Sequence, residues 1–288
     1  MNNRGKKRKR IALTSLFTPP SKLRNGGTIA DAVDHIFIEM AGLLGERTAQ
    51  LHLALSSNYD NKDFAPEPYS TFYQRSIYQT LRSTTKNAFR LLRKHLNDLD
   101  KDLQREAKKV LELEEEIIDY IALILRDKIS AKRIRIHGDY HLRQILFTGK
   151  DFIITNFEGP SSMAFSERRM KRGALRDVAS VIWSFHFAAF VASFTEDIQS
   201  KTEIARSEQF ARQWWLYIGN RFLNSYLDNI NHSDFLPKEK DEIQYLFHFN
   251  LLEKILQELT NCLNENSPWL NIPFKGLQYM KKYLRDKN

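Results

Sequence analysis

The stretch Arg133-Ile-Arg-Ile-His-Gly-Asp-Tyr-His-Leu-Arg-Gln-Ile-Leu-Phe147 decides the fold of this chain. Isoleucine alternates with arginine at its start, a pattern that is typical of a half-buried strand. The apolar run at 145–147 predicts a second strand, and the run at 152–154 predicts a third. Because the turn residues Thr-Gly-Lys-Asp at 148–151 separate these two runs, we predict a polar loop followed by a β-hairpin.

The polar side chains beside this hairpin have a spacing that indicates phosphoryl transfer. They are His137, Asp139, His141 and Gln144 before the hairpin, and Asn156 and Glu158 after it. In kinase-like phosphotransferases an Asp accepts the proton of the substrate hydroxyl, and an amide five residues later holds a metal ion. Asp139 and Gln144 have that spacing. An acid after the next strand holds Mg²⁺ in those enzymes, whereas this chain has Asn156, which keeps an oxygen but lacks the charge. Glu158, two residues later, is a candidate substitute ligand.

A longer pattern surrounds these residues. It comprises His-Gly-Asp-Tyr-His-Leu-Arg-Gln at 137–144, Thr-Gly-Lys-Asp-Phe at 148–152, Glu-Gly at 158–159 and Ser-Glu-Arg-Arg-Met-Lys-Arg-Gly-Ala-Leu-Arg-Asp-Val-Ala at 166–179. This pattern resembles the maltokinase family, whose members are often fused to trehalose synthase. The resemblance covers roughly residues 41–277. It implies a cytoplasmic sugar kinase of trehalose and glycogen metabolism that uses ATP and Mg²⁺.

The resemblance also implies a role for each candidate site residue. Asp139 is then the catalytic base, Gln144, Asn156 and Glu158 are metal ligands, His137 and Lys254 bind substrate, and Asp177 and His141 support the site. The sugar-binding helix of the family corresponds to residues 253–263, where Lys254 matches but the two tyrosines are Gln257 and Asn261. Because a disaccharide site gains from an aromatic face with a polar handle, these replacements weaken the expectation of maltose as the acceptor.

The rest of the chain predicts helices. Apolar residues recur at helical spacing in segments that span about 28–55, 69–99, 103–126, 175–194, 203–227, 237–264 and 273–287. Thr28 is a candidate N-cap, and Gly42 or Gly45 allows a break in the first helix. We therefore expect a mainly α fold with a small β-hairpin (α+β), the C-terminal lobe of a protein-kinase-like phosphotransferase, over residues 28–288. A flexible basic arm is expected at 1–27.

Bulk composition excludes several classes of protein. Eight of the 44 basic residues precede the first acidic residue, Asp31, so the net charge of +9 belongs to the arm and the rest is nearly neutral. This argues against a nucleic-acid binder, which needs many basic contacts. A single cysteine excludes an internal disulfide. The most apolar window, 178–194, is shorter than the roughly 20 residues of a membrane span, so we predict a buried helix and no membrane contact.

A zinc site is also disfavoured. His137 and His141 are four residues apart, but Gly138 stands where the zinc-binding helix signature requires Glu.

Two functions remain open from the sequence. The first is a maltokinase-like lobe that transfers the γ-phosphate of ATP to maltose or a related sugar hydroxyl. Such kinases cover ATP with a glycine loop and a strand lysine, which the family has ahead of the helix at Leu43. No such segment is recognisable here, so we expect it to come from another chain, either a separate N-lobe or a trehalose synthase chain, or from sequence lost from this one. The second is a catalytically silent lobe that binds or regulates a maltose or trehalose enzyme.

Overall fold

The computed structural model of the protein describes residues 15–18, 33–160, 163–194, 200–230 and 233–285. The helices within these residues are α1 (His35–Leu55), α2 (Thr71–His95), α3 (Lys101–Leu111), α4 (Glu114–Ala122), α5 (Phe165–Arg168), α6 (Leu175–Ser193), α7 (Lys201–Asn229), α8 (Lys240–Asn264) and α9 (Asn271–Leu284). The strands are β1 (Glu67–Pro68), β2 (Lys132–Arg133), β3 (Ile145–Phe147) and β4 (Phe152–Ile154). The predicted mainly α fold with a small hairpin is confirmed.

The chain divides into two compact units. Among the described residues, the larger comprises 52–144, 154–160, 163–184 and 233–285, and the smaller comprises 15–18, 33–51, 145–153, 185–194 and 200–230.

In the larger unit, α8 packs against α2 and α9, and α2 packs against α4. The side chains that these helices bury recur every three or four residues, which places them on one face of each helix. They include Leu81, Phe89, Leu92, Ile117, Ile121, Leu252, Leu256, Leu259, Phe274 and Leu277.

Cys262 of α8 is also buried, and burial raises the pKa of its thiol to about 11.

The prediction of one continuous helix at 103–126 is wrong, because the helix is interrupted at residues 112–113, which separate α3 from α4. Asp100 caps α3 by accepting hydrogen bonds from the Asp102 and Leu103 amides. The glutamates at 114–116 form the first turn of α4, where the positive end of the helix dipole favours negative charge. The acidic cluster therefore starts a new helix.

In the smaller unit, α1 continues through both glycines at which the sequence allows a break. Gly45 lies so close to α7 that an added Cβ would stand 2.3 Å from the Phe222 carbonyl oxygen. The Ser225 hydroxyl donates a hydrogen bond of 2.6 Å to the Gly42 carbonyl. The glycines therefore permit close helix contact.

The short segment Ser15–Thr18 also belongs to the smaller unit. The Asn220 side-chain amide of α7 donates to the carbonyl oxygens of Leu16 (2.6 Å) and Thr18 (2.8 Å), and the Leu16 side chain is buried. The remainder of the predicted basic arm and the candidate N-cap Thr28 lie outside the described residues.

Among the described residues, α6 alone has the length and composition of a candidate membrane span, and 61% of its most apolar stretch is buried within the protein. Core helices of this kind pass the same test. Val178, Val181 and Ile182 are fully buried, as expected for the predicted buried helix.

Candidate active site

The candidate site begins where β2 ends. Instead of the strand predicted over 133–136, β2 pairs antiparallel with β1, and Ile134 then forms a single bridge to Arg172. The sequence does not predict β1, because it has two residues and one is Pro68. Glu67 of β1 accepts hydrogen bonds from Arg133 and, at 2.9 Å, from the buried Lys171. The hydrogen bond from Lys171 is the largest cause of the lowered pKa of Glu67.

Asp177, at the start of α6, organises the polar loop that follows. Its buried carboxylate accepts hydrogen bonds from the backbone amides of His137 (2.7 Å) and Gly138 (3.0 Å), and from His52 Nε2 at 3.3 Å. Gly138 has φ +83°, a conformation that glycine adopts without steric cost. The loop therefore turns at a glycine and is held at that turn by one buried carboxylate.

His137 is held within the protein. Its Nδ1 accepts a hydrogen bond from the Asp139 amide at 3.3 Å, and its Nε2 donates to the Thr155 carbonyl at 2.7 Å. Both ring nitrogens are therefore used inside the loop, and the side chain is 2% exposed. This geometry positions Asp139, the next acidic residue of the loop.

Asp139 is half-buried, and its carboxylate lies 3.6 Å from His141 Nε2. The Gln144 side-chain amide donates to the second carboxylate oxygen at 3.4 Å. The pKa of Asp139 is lowered, chiefly by its hydrogen bond with His141 and further by the positive charge of Lys254, against the opposing effect of burial. A carboxyl with a lowered pKa is ionised near neutral pH and can accept a hydrogen bond from a substrate hydroxyl.

The hairpin brings the two halves of the predicted site together. The amide and hydroxyl of Thr155, which follows β4, donate to the carbonyl of Gln144, which precedes β3, at 2.9 and 3.1 Å. Asn156 is therefore placed beside Gln144, and its side-chain amide donates to Gln144 Oε1. Glu158 is exposed, and no hydrogen bond or ion pair joins it to the part of the chain that the structure describes.

These donors do not fit a Mg²⁺ site. Mg²⁺ in phosphotransferases is held by one or two carboxylates together with substrate phosphates. Here the side-chain amides of Gln144 and Asn156 are hydrogen-bonded to each other, and among the described residues no hydrogen bond joins Glu158 to either of them. Within residues 33–160 and the other described ranges, no group of three or more His, Cys, Asp or Glu side chains is placed to hold a metal ion.

A cavity of about 280 Å³ opens beside Asp139. Its walls come from the loop, from α6 and from α8, and are mainly polar. They comprise Gly138, Asp139, Pro160, Met163, Arg176, Asp177, Ser180, Asn250, Glu253, Lys254, Gln257 and Asn261. Asp139 and Lys254, which the sequence predicts as site residues, thus line one cavity, and Gln257 and Asn261 line it as well.

The sequence does not single out Arg176 or Glu253 as an interacting pair. Their side chains form a largely buried ion pair on the cavity wall. Burial lowers the pKa of Arg176, but the attraction of Glu253 outweighs it, and the net shift is upward. The only sequence signal is the position of Arg176 next to Asp177. This pair also lines a second cavity of about 270 Å³, to which Tyr69 and Tyr73 contribute aromatic walls.

No protein-family model matches this chain. The solved structures that it resembles include a glucosamine kinase (crystal form A), with a TM-score of 0.68 and 19% sequence identity over 86% of this chain and 55% of that chain. They also include a glucosamine kinase in complex with glucosamine, ADP and inorganic phosphate, with a TM-score of 0.70 and 19% identity over 92% of this chain and 59% of that chain. This chain shares their kinase-like fold. It spans little more than half the length of those structures.

Proposed function

We propose that this chain is the sugar-binding lobe of a sugar kinase that transfers the γ-phosphate of ATP to a sugar hydroxyl. The observation that carries the proposal is the cavity of about 280 Å³ that Asp139 and Lys254 line together. Its polar walls supply a cation and several amides, which suit a polyhydroxylated ligand. The shared fold with glucosamine kinases supports the same reading, because one of those structures binds glucosamine, ADP and phosphate.

In the proposed reaction, Asp139 accepts a hydrogen bond from the acceptor hydroxyl and takes its proton. The hydroxyl oxygen forms a bond to the γ-phosphorus, the bond between that phosphorus and the ADP oxygen breaks, and ADP leaves. Lys254, Gln257 and Asn261 hold the other sugar hydroxyls. His137, His141 and Asp177 act through Asp139, since they fix the loop and its carboxylate.

The proposed acceptor is maltose or a related sugar. One sugar ring would occupy the cavity at Asp139, and a second would lie against Tyr69 and Tyr73 in the adjoining cavity, which shares Arg176 and Glu253 as a wall. Aromatic faces with a polar handle are suited to this contact. Glucosamine and glucose are the single-ring alternatives.

We further propose that ATP is held by a nucleotide-binding lobe, and that a separate N-lobe or a trehalose synthase chain is a candidate partner. The proposed location is the cytoplasm, where a free buried thiol such as Cys262 stays reduced.

A second candidate is a lobe that binds sugar but does not transfer phosphate, and that regulates a sugar-converting enzyme. The bond between Asn156 and Gln144 favours it, because two amides occupy the place where the kinase-like pattern puts metal ligands.

Sugar binding to the full chain tests the proposal without a nucleotide. Titration calorimetry with maltose, glucose and glucosamine should show binding of at least one sugar. Lys254→Met and Asp139→Asn should weaken it by roughly 10–150-fold each, because each removes one charged hydrogen-bonding group worth about 1.5–3 kcal/mol. Lys240→Met, at the exposed start of the same helix, is the control and should leave binding unchanged. No binding of any sugar would refute both candidates.

ATP-dependent phosphorylation then separates the two candidates. Labelled ATP is supplied with each sugar, and Asp139→Asn serves as the blank. Sugar phosphate that depends on Asp139 supports the kinase, whereas sugar binding without transfer, including after addition of a nucleotide-binding partner, supports the silent lobe.

A further inference from the structure

Three polar side chains of the candidate site form one continuous chain of hydrogen bonds. The Asn156 amide nitrogen donates to Gln144 Oε1, and Gln144 Nε2 donates to Asp139 Oδ2 at 3.4 Å. These two hydrogen bonds thus connect Asn156, which follows the hairpin, to the Asp139 carboxylate at the cavity.

The direction of these hydrogen bonds follows from their chemistry. An ionised carboxylate only accepts hydrogen bonds, so Gln144 must turn its NH₂ group towards Asp139. The carbonyl oxygen of Gln144 then faces residue 156, and only a donor is compatible with it. Asparagine supplies that donor. A carboxylate at 156 would bring an oxygen with negative charge against Oε1, an arrangement that requires a cation between the two oxygens.

The backbone at 156 accommodates either side chain. Asn156 has φ +62°, a left-handed conformation in which Asn and Asp are both enriched. The choice between amide and acid at this position therefore concerns donor chemistry and charge more than backbone geometry.

We propose that the amide of Asn156 takes the place of a divalent cation in this chain, and that it holds Asp139 through Gln144 without metal. The site becomes a metal-independent one, in which the N–H of Asn156 contacts the oxygen, Gln144 Oε1, that a cation would otherwise contact. This inference rests on the proposed function only for the role of Asp139, because the hydrogen bonds themselves need neither sugar nor nucleotide.

Binding of Mn²⁺, a paramagnetic substitute for Mg²⁺, tests the proposal on the full chain through water-proton relaxation. The native protein should show no Mn²⁺ site that depends on residue 156. Asn156→Asp should bind one Mn²⁺ about tenfold or more tightly than the native protein, which is the size of effect that metal-site partners have. Asn156→Gly is the control, since it removes the amide, adds no charge and tolerates the positive φ. It should gain no affinity.

Gln144→Glu provides a second test if Asn156→Asp fails to fold, because it adds a carboxylate next to Asp139 and should also create a Mn²⁺ site. Side-chain amide NMR signals of Gln144 in the native protein should not shift when Mg²⁺ is added. One Mn²⁺ bound as tightly by the native protein as by Asn156→Asp would overturn the proposal, and so would the absence of a gain in both acidic variants. Failure of sugar binding would refute the proposed function and leave these readouts unchanged.

Discussion

Replacement of Asp177 by Asn removes the negative charge beneath the polar loop at His137 and Gly138. The asparagine side chain has nearly the same size and shape as the aspartate. The native carboxylate accepts from His137 and His52 on Oδ2 and from Gly138 on Oδ1. An amide has one oxygen, so in either orientation its NH₂ group faces a backbone N–H, and at least one buried donor loses its partner. That loss costs about 1–3 kcal/mol.

The remaining hydrogen bonds to residue 177 also weaken, since charge-assisted bonds are roughly twice as strong as neutral ones. We therefore expect Asp177→Asn to lower the free energy of unfolding by about 3–5 kcal/mol, the usual cost of breaking a buried charged network. Urea unfolding of the full chain measures this change. Asp60→Asn, the same chemical change at an exposed side chain, should shift the free energy by no more than about 0.5 kcal/mol.

Amide hydrogen exchange localises the effect of Asp177→Asn. The amide of His137 or of Gly138 should exchange faster by roughly 5–150-fold, which corresponds to the cost of one lost hydrogen bond. A destabilisation below about 1 kcal/mol with both amides still protected would refute the role assigned to Asp177.

Three further predictions concern stability, measured by urea unfolding. Gly45→Ala should destabilise by about 1–3 kcal/mol, because its Cβ meets a backbone oxygen at 2.3 Å. Gly42→Ala meets only the end of a flexible arginine and should be neutral or stabilising by about 0.5–1 kcal/mol; equal effects at the two glycines would contradict the packing described. Burial lowers the pKa of His248 to about 3, so between about pH 6.5 and pH 3 the unfolded state binds more protons than the folded state, and stability should fall as the pH is lowered, by up to about 1.4 kcal/mol per pH unit. His248→Phe should make that slope shallower, and an unchanged slope would show that His248 does not cause it. The lowered pKa of Glu67, due first to Lys171, gives stability that is present above its ordinary value of 4.5 and lost as pH falls through the folded value. Glu67→Gln should therefore differ from the native protein at pH 7 and converge with it in acid; a difference that persists at low pH would exclude this ionic contribution.

The helices and the hairpin could be predicted because their signals are local. Apolar residues repeat at 3.6-residue spacing along α2 and α8, and alternate with turn residues around β3 and β4. The pairing of β1 with β2 was not predictable in this way, because Pro68 argues against a strand. The break between α3 and α4 carries no glycine or proline, and only the three glutamates at 114–116 mark it.

Only part of the candidate site could be predicted from the sequence. The spacing from Asp139 to Gln144 identifies the loop, and the hairpin length places Asn156 beside Gln144. The direction of the hydrogen bonds between them depends on the ionisation of Asp139, which the spacing does not encode. The pair of Arg176 and Glu253 is separated by 77 residues, so only the packing of α6 against α8 brings it together.

Cys262 is a natural probe for the opening of α8. Its thiol lies buried on α8, the helix that carries Lys254, and with a pKa of about 11 it is almost entirely protonated at pH 8. Only the thiolate reacts with alkylating reagents, so the native protein should be modified slowly and the opened helix rapidly. The labelling rate of this one sulfur atom therefore times the opening of α8 without any engineered probe, and a ligand that bridges Lys254 and Asp139 should slow it.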